Sequence, residues 1–343
     1  MIINQRIRSI DLIRGLAIFM MIFGNLTPLL DEEAPVSFRL FISFAAPLFV
    51  ILAGMMIAQA ATSEKRRNKK YFVKRCFFLL IAAATVDALI WNIIPGTTVD
   101  VLYLIAVSVP IVYFVAPLHL ISQTIIMSFF FAMTPFLQMW LGYTDYPLEY
   151  NLQGKLLAHI IHPTSIPHHW FVDGWFPIFP WIGFAIFGSL TERLWFNTPG
   201  RKIYHLGISI LVVSIGGGVF WYLRPWTLLI RGGYQELFYP PGVGFIISSI
   251  GVFLLLWGLV AQVSNKLFID PLVCVGEAAL SFYLIHLLLI RYAIETLWPH
   301  FSLNQLSLTA SLLFLLIVAL GYSFRWIRKL WPTRHQIVKW LIG

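Results

Sequence analysis

RIRSIDLIRGLAIFMMIFGNLTP, residues 6–28, is apolar and long enough to span a bilayer, yet Asp11, Arg14 and Asn25 stand inside it. An α-helix advances about 100° per residue, so the steps from 11 to 14 to 25 return all three to within about 60° of one another. They form one polar stripe. Such a stripe does not face lipid, because ionisable groups inside a span cost several kcal/mol unless they face protein or a water-filled cavity, where they mark a path or a site. Asp11 and Arg14 are spaced for a local ion pair. The bland alternative is a helix-end anchor, with Arg14 snorkelling to the interface. Asn25 lies about 16 Å further along the helix, and a buried Asn also serves as glue between helices.

The rest of the chain is of the same kind. Of its 343 residues 59% are hydrophobic and 11% charged, where a soluble domain carries about a quarter charged residues. Apolar runs recur at residues 9–30, 38–60, 74–94, 99–117, 120–140, 174–192, 204–223, 243–262, 272–293 and 305–324, each close to the length of about 20 residues that a membrane helix needs. The expectation is an all-α, polytopic transmembrane helix bundle of about ten spans, a single integral membrane domain over residues 1–343. No internal repeat or long linker is visible.

Orientation follows from the basic residues, which are retained near span ends on the cytoplasmic side. Lys65, Arg66, Arg67, Lys69, Lys70, Lys74 and Arg75 separate the second and third spans, Arg325, Arg328, Lys329, Arg334 and Lys339 follow the last, and Arg6, Arg8 and Arg14 open the chain. With Arg193, Arg201, Lys202 and Lys266, 19 of the 24 Lys and Arg fall on one side, leaving Arg39, Lys155, Arg224, Arg231 and Arg291 on the other. Both termini are then cytoplasmic, in a multi-pass protein of the cell membrane. The same bias accounts for the net charge of +9, so nucleic acid is not an expected partner; the lipid bilayer is. Basic loops also attract anionic headgroups or a phosphorylated cofactor. Asp11 and Arg14 interrupt the first apolar run and no small-residue cleavage site follows it, so no cleavable signal is expected. Cys76 and Cys274 both fall on the reducing side, which argues against a disulfide.

The larger loops, at about 141–173 and 224–242, lie outside the cytoplasm in this scheme. The first carries Asp145, Glu149, His159, His162, His168, His169 and Asp173. Its histidines do not repeat a zinc-ligand spacing, and no metal is predicted. DGWFPIFPWIGFAIFG, residues 173–188, sets Asp173 at a span entry ahead of prolines, Trp181 and small glycines; an aromatic belt with close helix packing is its bland account. His286 interrupts the ninth span, with Tyr283 and Ala279 on its helix face. A neutral imidazole there suits a base, although a lone membrane histidine is more often a packing residue. Glu277, on the opposite face near the cytoplasmic end, reads as structural or as a cofactor contact.

Four blocks in order, RIRSIDLIRGLAIFMMIFGN, SFAAPLFVILAG, DGWFPIFPWIGFAIFG and GEAALSFYLIH, together resemble the transmembrane acyltransferase superfamily, closest in flavour to the heparan-alpha-glucosaminide N-acetyltransferase family and its bacterial relatives. The resemblance implies transfer of an acyl group, usually acetyl from acetyl-coenzyme A, across the membrane to a sugar or glycan on the far side. It places Arg14 and Asn25 in the site. It also expects a catalytic histidine about 11 residues beyond the asparagine, where this chain has Val36. Candidates for the missing base are Asp31, Glu32 or Glu33 in the same loop, His168, His169 or Asp173 in the large loop, and His286, which ranks first because a span holds a side chain more firmly than a loop.

On this reading Asp11, Arg14, Arg75 and Tyr283 contact the coenzyme A thioester from the cytoplasmic side. Asn25, His286, Asp31, Asp173 and His169 are the catalytic candidates, with Asn25 donating to the developing oxyanion. A homodimer is left open. Two other classes compete. A carrier of a small solute or a lipid-linked sugar also shows polar intramembrane groups and proline-broken spans, and a catalytically inactive relative would tolerate Val36.

Overall fold

A computed structural model describes residues 8–63, 67–144, 150–154, 165–195, 202–223, 230–263, 267–330 and 336–342. Asp145, Glu149, His159 and His162, and the basic residues Arg6, Lys65, Arg66, Lys155, Arg201, Arg224, Lys266 and Arg334, lie outside them. Among the described residues the regular structure is helical: α1 (Arg8–Asn25), α2 (Val36–Ser43), α3 (Ala45–Thr62), α4 (Lys69–Thr85), α5 (Val101–Val115), α6 (Leu120–Leu141), α7 (Ile178–Trp195), α8 (Lys202–Leu223), α9 (Val243–Val263), α10 (Asp270–Glu277), α11 (Ala279–Leu289), α12 (Leu303–Leu330) and α13 (Gln336–Ile342).

Helix occupies each of the ten apolar runs, and the runs differ in helical length and apolarity. Seven stretches, among them α1, α6, α8 and α12, are long and apolar enough, and an eighth counts if α7 is joined to the short helical segment Ile166–Asp173, to which it is bent by 50°. The remaining two are α4, which opens with Lys69, Lys70, Lys74 and Arg75, and α5, only 15 residues long. At about 1.5 Å per residue, α5 is about three quarters as long as a hydrocarbon core of about 30 Å is thick. Much of it is buried inside the protein instead.

Glycine lets particular helices touch. A Cβ on Gly15 of α1 would stand 1.9 Å from the Leu272 carbonyl oxygen, and one on Gly276 of α10 1.7 Å from that of Asp11. The two backbones therefore meet at both positions, the close approach that small residues permit where no hydrophobic effect drives helices together. Gly54 of α3 and Gly188 of α7 make the matching pair against Ala185 and Ile51. The result fixes α1 against α10 and α11, and so sets the polar stripe against the span that carries His286.

Candidate functional site

The α1 stripe runs between two polar clusters, one at each end of the bundle. At the end where α1 begins, Arg14 Nη1 stands 3.5 Å from Asp11 Oδ1, the ion pair that the spacing predicts. Arg75 of α4 is close enough for its charge to repel that of Arg14. Its guanidinium lies over the rings of Trp340, at 5.1 Å, and Phe78, at 5.8 Å, and its Nη1 is buried with no hydrogen-bond partner among the described residues. Two cations held side by side with an unused donor suit a phosphate. The residues present thus fit the anionic end of coenzyme A.

The acids at this end behave differently. Glu277 pairs with Arg325 at 2.9 Å and with Arg328, and Asp270 with Arg325 at 2.5 Å and Arg8 at 2.9 Å. Burial pushes the Asp270 carboxyl up, but the Arg325 hydrogen bond and the charges of Arg325 and Arg8 hold it below the ordinary carboxylate range. Glu277 is engaged by these arginines, so it reads as a staple between α10 and α12.

At the other end of the stripe, Asn25 Nδ2 lies 2.8 Å from His286 Nε2. The tautomer follows from the second ring nitrogen: His286 Nδ1 is 2.8 Å from the Phe282 carbonyl oxygen, which only accepts, so Nδ1 carries the proton and Nε2 accepts from the Asn25 amide. His286 is fully buried. In this arrangement its Nε2 lone pair faces the Asn25 amide. Tyr283, 5.6 Å from His286 ring to ring, donates its hydroxyl to Asp100 Oδ2 at 2.6 Å. It is therefore placed beside His286.

Asp100 also caps α5, accepting from the Val101 N–H at 2.6 Å. Next to it, Asp87 accepts from the Tyr103 hydroxyl at 2.8 Å and the Gly96 N–H at 2.9 Å. The 96–99 segment is held in turn by backbone bonds from Trp175 to Thr98 and from Phe176 to Val99, and by the Trp170 indole on Gly96.

His169 and Asp173 form a fully buried pair at 2.7 Å. Asp173 also accepts from the Thr144 hydroxyl, and His168 Nδ1 stands 3.3 Å away. Arg231 donates to the carbonyls of Asp173, Gly174 and Thr144 and sits among the rings of Tyr143, Trp175 and Tyr239. This cluster is a clasp over the entry to α7. Asp31 stands elsewhere, in an exposed pair with His300 at 2.8 Å. Glu33 pairs with Arg39, and the Glu32 carbonyl accepts from Gln235. Val36 opens α2 and is 41% exposed.

Sequence reasoning passed over Asp87, Asp100, Tyr103 and Glu236. Asp100 had a signal, since an acid just ahead of an apolar run is a helix N-cap. Glu236 is the lone acid of the 230–242 loop, and the structure buries it against α1. A Cβ on Gly24 would stand 2.9 Å from its Oε1, and its Oε2 is buried with no hydrogen-bond partner among the described residues. Burial raises this carboxyl to about 7, against the opposing pull of its own backbone N–H and of Arg39. Among the described residues no group of three or more His, Cys, Asp or Glu is arranged to hold a metal ion.

A family model described as heparan-alpha-glucosaminide N-acetyltransferase, catalytic, matches residues 6–216. No curated protein matches the chain. Asn25, Arg14, Arg75, Asp100 and Asp173 fall within the matched region; Glu236, Tyr283 and His286 fall beyond it.

Proposed function

Because the chain belongs to the heparan-alpha-glucosaminide N-acetyltransferase catalytic family, we propose that it transfers an acetyl group from acetyl-coenzyme A, bound from the cytoplasm, to an amine or hydroxyl of a sugar or glycan outside. The observation that carries this reading is the Asn25–His286 contact at one end of a stripe whose other end is Arg14 beside Arg75. Arg14 and Arg75 take the phosphates of the donor. Its thioester arm follows the α1 stripe toward Asn25.

His286 fixes the Asn25 amide from behind, leaving the second N–H of that amide for the carbonyl oxygen of the thioester. As the acceptor attacks, charge develops on that oxygen, and a donor already in place stabilises it without reorganising. The basic end of the bundle faces the cytoplasm in this scheme, and the loops around Asp100, Asp173 and Glu236 face the acceptor. Coenzyme A leaves by the route it entered.

The test is coenzyme A release by detergent-purified protein given acetyl-coenzyme A and glucosamine. Asn25→Ala is expected to lower the rate by about 10²–10³, the usual cost of an oxyanion donor. Equal rates for the variant and wild type sink the assignment. Binding of acetyl-coenzyme A, read as thermal stabilisation, counts against a solute carrier, and turnover excludes an inactive scaffold.

A further inference from the structure

Glu236 is a buried carboxylate whose Oε2 has no hydrogen-bond partner among the described residues. The loop carrying it is held by its neighbours: the Gln235 side chain bonds the Ala34 N–H and the Glu32 carbonyl, the Gln235 carbonyl accepts from Arg39 Nε, and the Leu237 N–H bonds the Ser43 hydroxyl. The loop therefore keeps its place without the Glu236 carboxyl. That carboxyl rests against Gly24, the residue before Asn25. A buried carboxylate with one oxygen left without a hydrogen bond costs free energy when ionised. Such a cost, kept beside a reaction centre, points to a ligand that supplies the missing partner.

We propose that Glu236 receives the acceptor as a primary ammonium and takes one proton from it, delivering a neutral amine to the thioester carbonyl beside Asn25. The inference rests on the acetyl-transfer reading and adds to it a further catalytic residue, the group that takes the acceptor's proton. The ammonium gives its first proton to the Glu236 carboxylate. The freed nitrogen lone pair forms the N–C bond, and the tetrahedral intermediate loses a second proton from nitrogen as its C–S bond breaks. Sulfur takes up that second proton and leaves as the coenzyme A thiol. Glu236 then releases the first proton to the outer water. Three hydrogens on the ammonium thus become one on the amide, one on the thiol and one in solution.

The charged and titratable groups facing Glu236 are Arg39 of α2, itself paired with Glu33, and Tyr239 of the same loop; Gly24 of α1 brings none. A carboxyl raised to about 7 is matched to exchanging a proton with an amine near neutral pH.

Wild type, Glu236→Gln and Glu236→Asp are compared for coenzyme A release with glucosamine, and for thermal stabilisation by acetyl-coenzyme A. The expected result is about a 10²-fold or greater loss for Glu236→Gln, typical of a lost acid–base group. Partial recovery in Glu236→Asp and unchanged stabilisation by the donor accompany it. A second measurement uses wild type alone: glucosamine, but not glucose, protects Glu236 from dicyclohexylcarbodiimide, read by mass spectrometry. Wild-type turnover with an undiminished Glu236→Gln, or labelling that glucosamine leaves unchanged, overturns the role of Glu236 alone. Wild type that neither binds acetyl-coenzyme A nor releases coenzyme A overturns the acetyl-transfer reading, and the Glu236 role falls with it.

Discussion

Trp340 of α13 lies against Arg75 of α4, with the guanidinium carbon 5.1 Å from the indole centroid. The same indole meets Tyr71 and Phe78, and the adjacent Leu341 carbonyl accepts from the Ser281 hydroxyl of α11. The last helix thus pins the cation assigned to the donor phosphates. A cation over an aromatic face gains about 0.5–2 kcal/mol, so Trp340→Ala is expected to raise the KM for acetyl-coenzyme A by about 2- to 30-fold with little change in kcat. Steady-state kinetics at saturating acceptor check it; a fall in kcat at constant KM goes against it.

Asn25 and His286 act as one unit if the histidine serves to orient the amide. His286→Ala is then expected to cost much of what Asn25→Ala costs. The double variant costs no more than Asn25→Ala, a coupling of about 0.5–3 kcal/mol in a double-mutant cycle. Additive losses would show that His286 has a separate chemical task.

The contact between α1 and α10 leaves no room for a methyl group at Gly276, where a Cβ would meet the Asp11 carbonyl. Gly276→Ala is expected to destabilise the protein by about 1–3 kcal/mol, as overpacking does, and to lower the midpoint of thermal unfolding in detergent. Gly242→Ala, whose added Cβ meets nothing within 4 Å, serves as the comparison and is expected to leave that midpoint nearly unchanged.

Glu236 also sets a pH dependence of stability. Its folded-state pKa of about 7 lies above the ordinary value of 4.5, so folding favours the protonated form. That contribution is complete below about 4.5 and is lost as pH rises through about 7. Glu236→Gln, which stays neutral, is expected to be more stable than wild type at pH 8 by up to about 3 kcal/mol, and close to wild type at pH 4. Thermal unfolding at the two pH values measures the difference.

Much of the fold was legible because apolar length and charge placement are local properties. All ten runs became helices. What local reading did not show is the length of α5, 15 residues and largely buried, since an apolar helix buried in protein and one facing lipid share a composition. In the site, Arg14, Asn25 and His286 stood out because polar groups inside spans are rare. Their pairing did not, because it depends on which late helix returns beside α1. Tyr283 was expected at the coenzyme A thioester and on the face of His286; that its hydroxyl goes to Asp100 was not legible, because it depends on tertiary contact. Glu236 was passed over, since sequence gives no sign that the 230–242 loop folds inward against Gly24.

The contact between Asn25 and His286 joins residues 261 positions apart. At a synthesis rate of about 5–20 residues per second, α1 is made roughly 13–50 s before α11 exists to meet it. Through that interval the polar stripe sits beside only the early helices or the insertion machinery, exposed to the cost that a finished bundle removes. The matched region, residues 6–216, ends before His286 as well. A nascent chain cut off there would hold Arg14, Arg75 and Asn25 but not His286, the residue that meets the Asn25 amide.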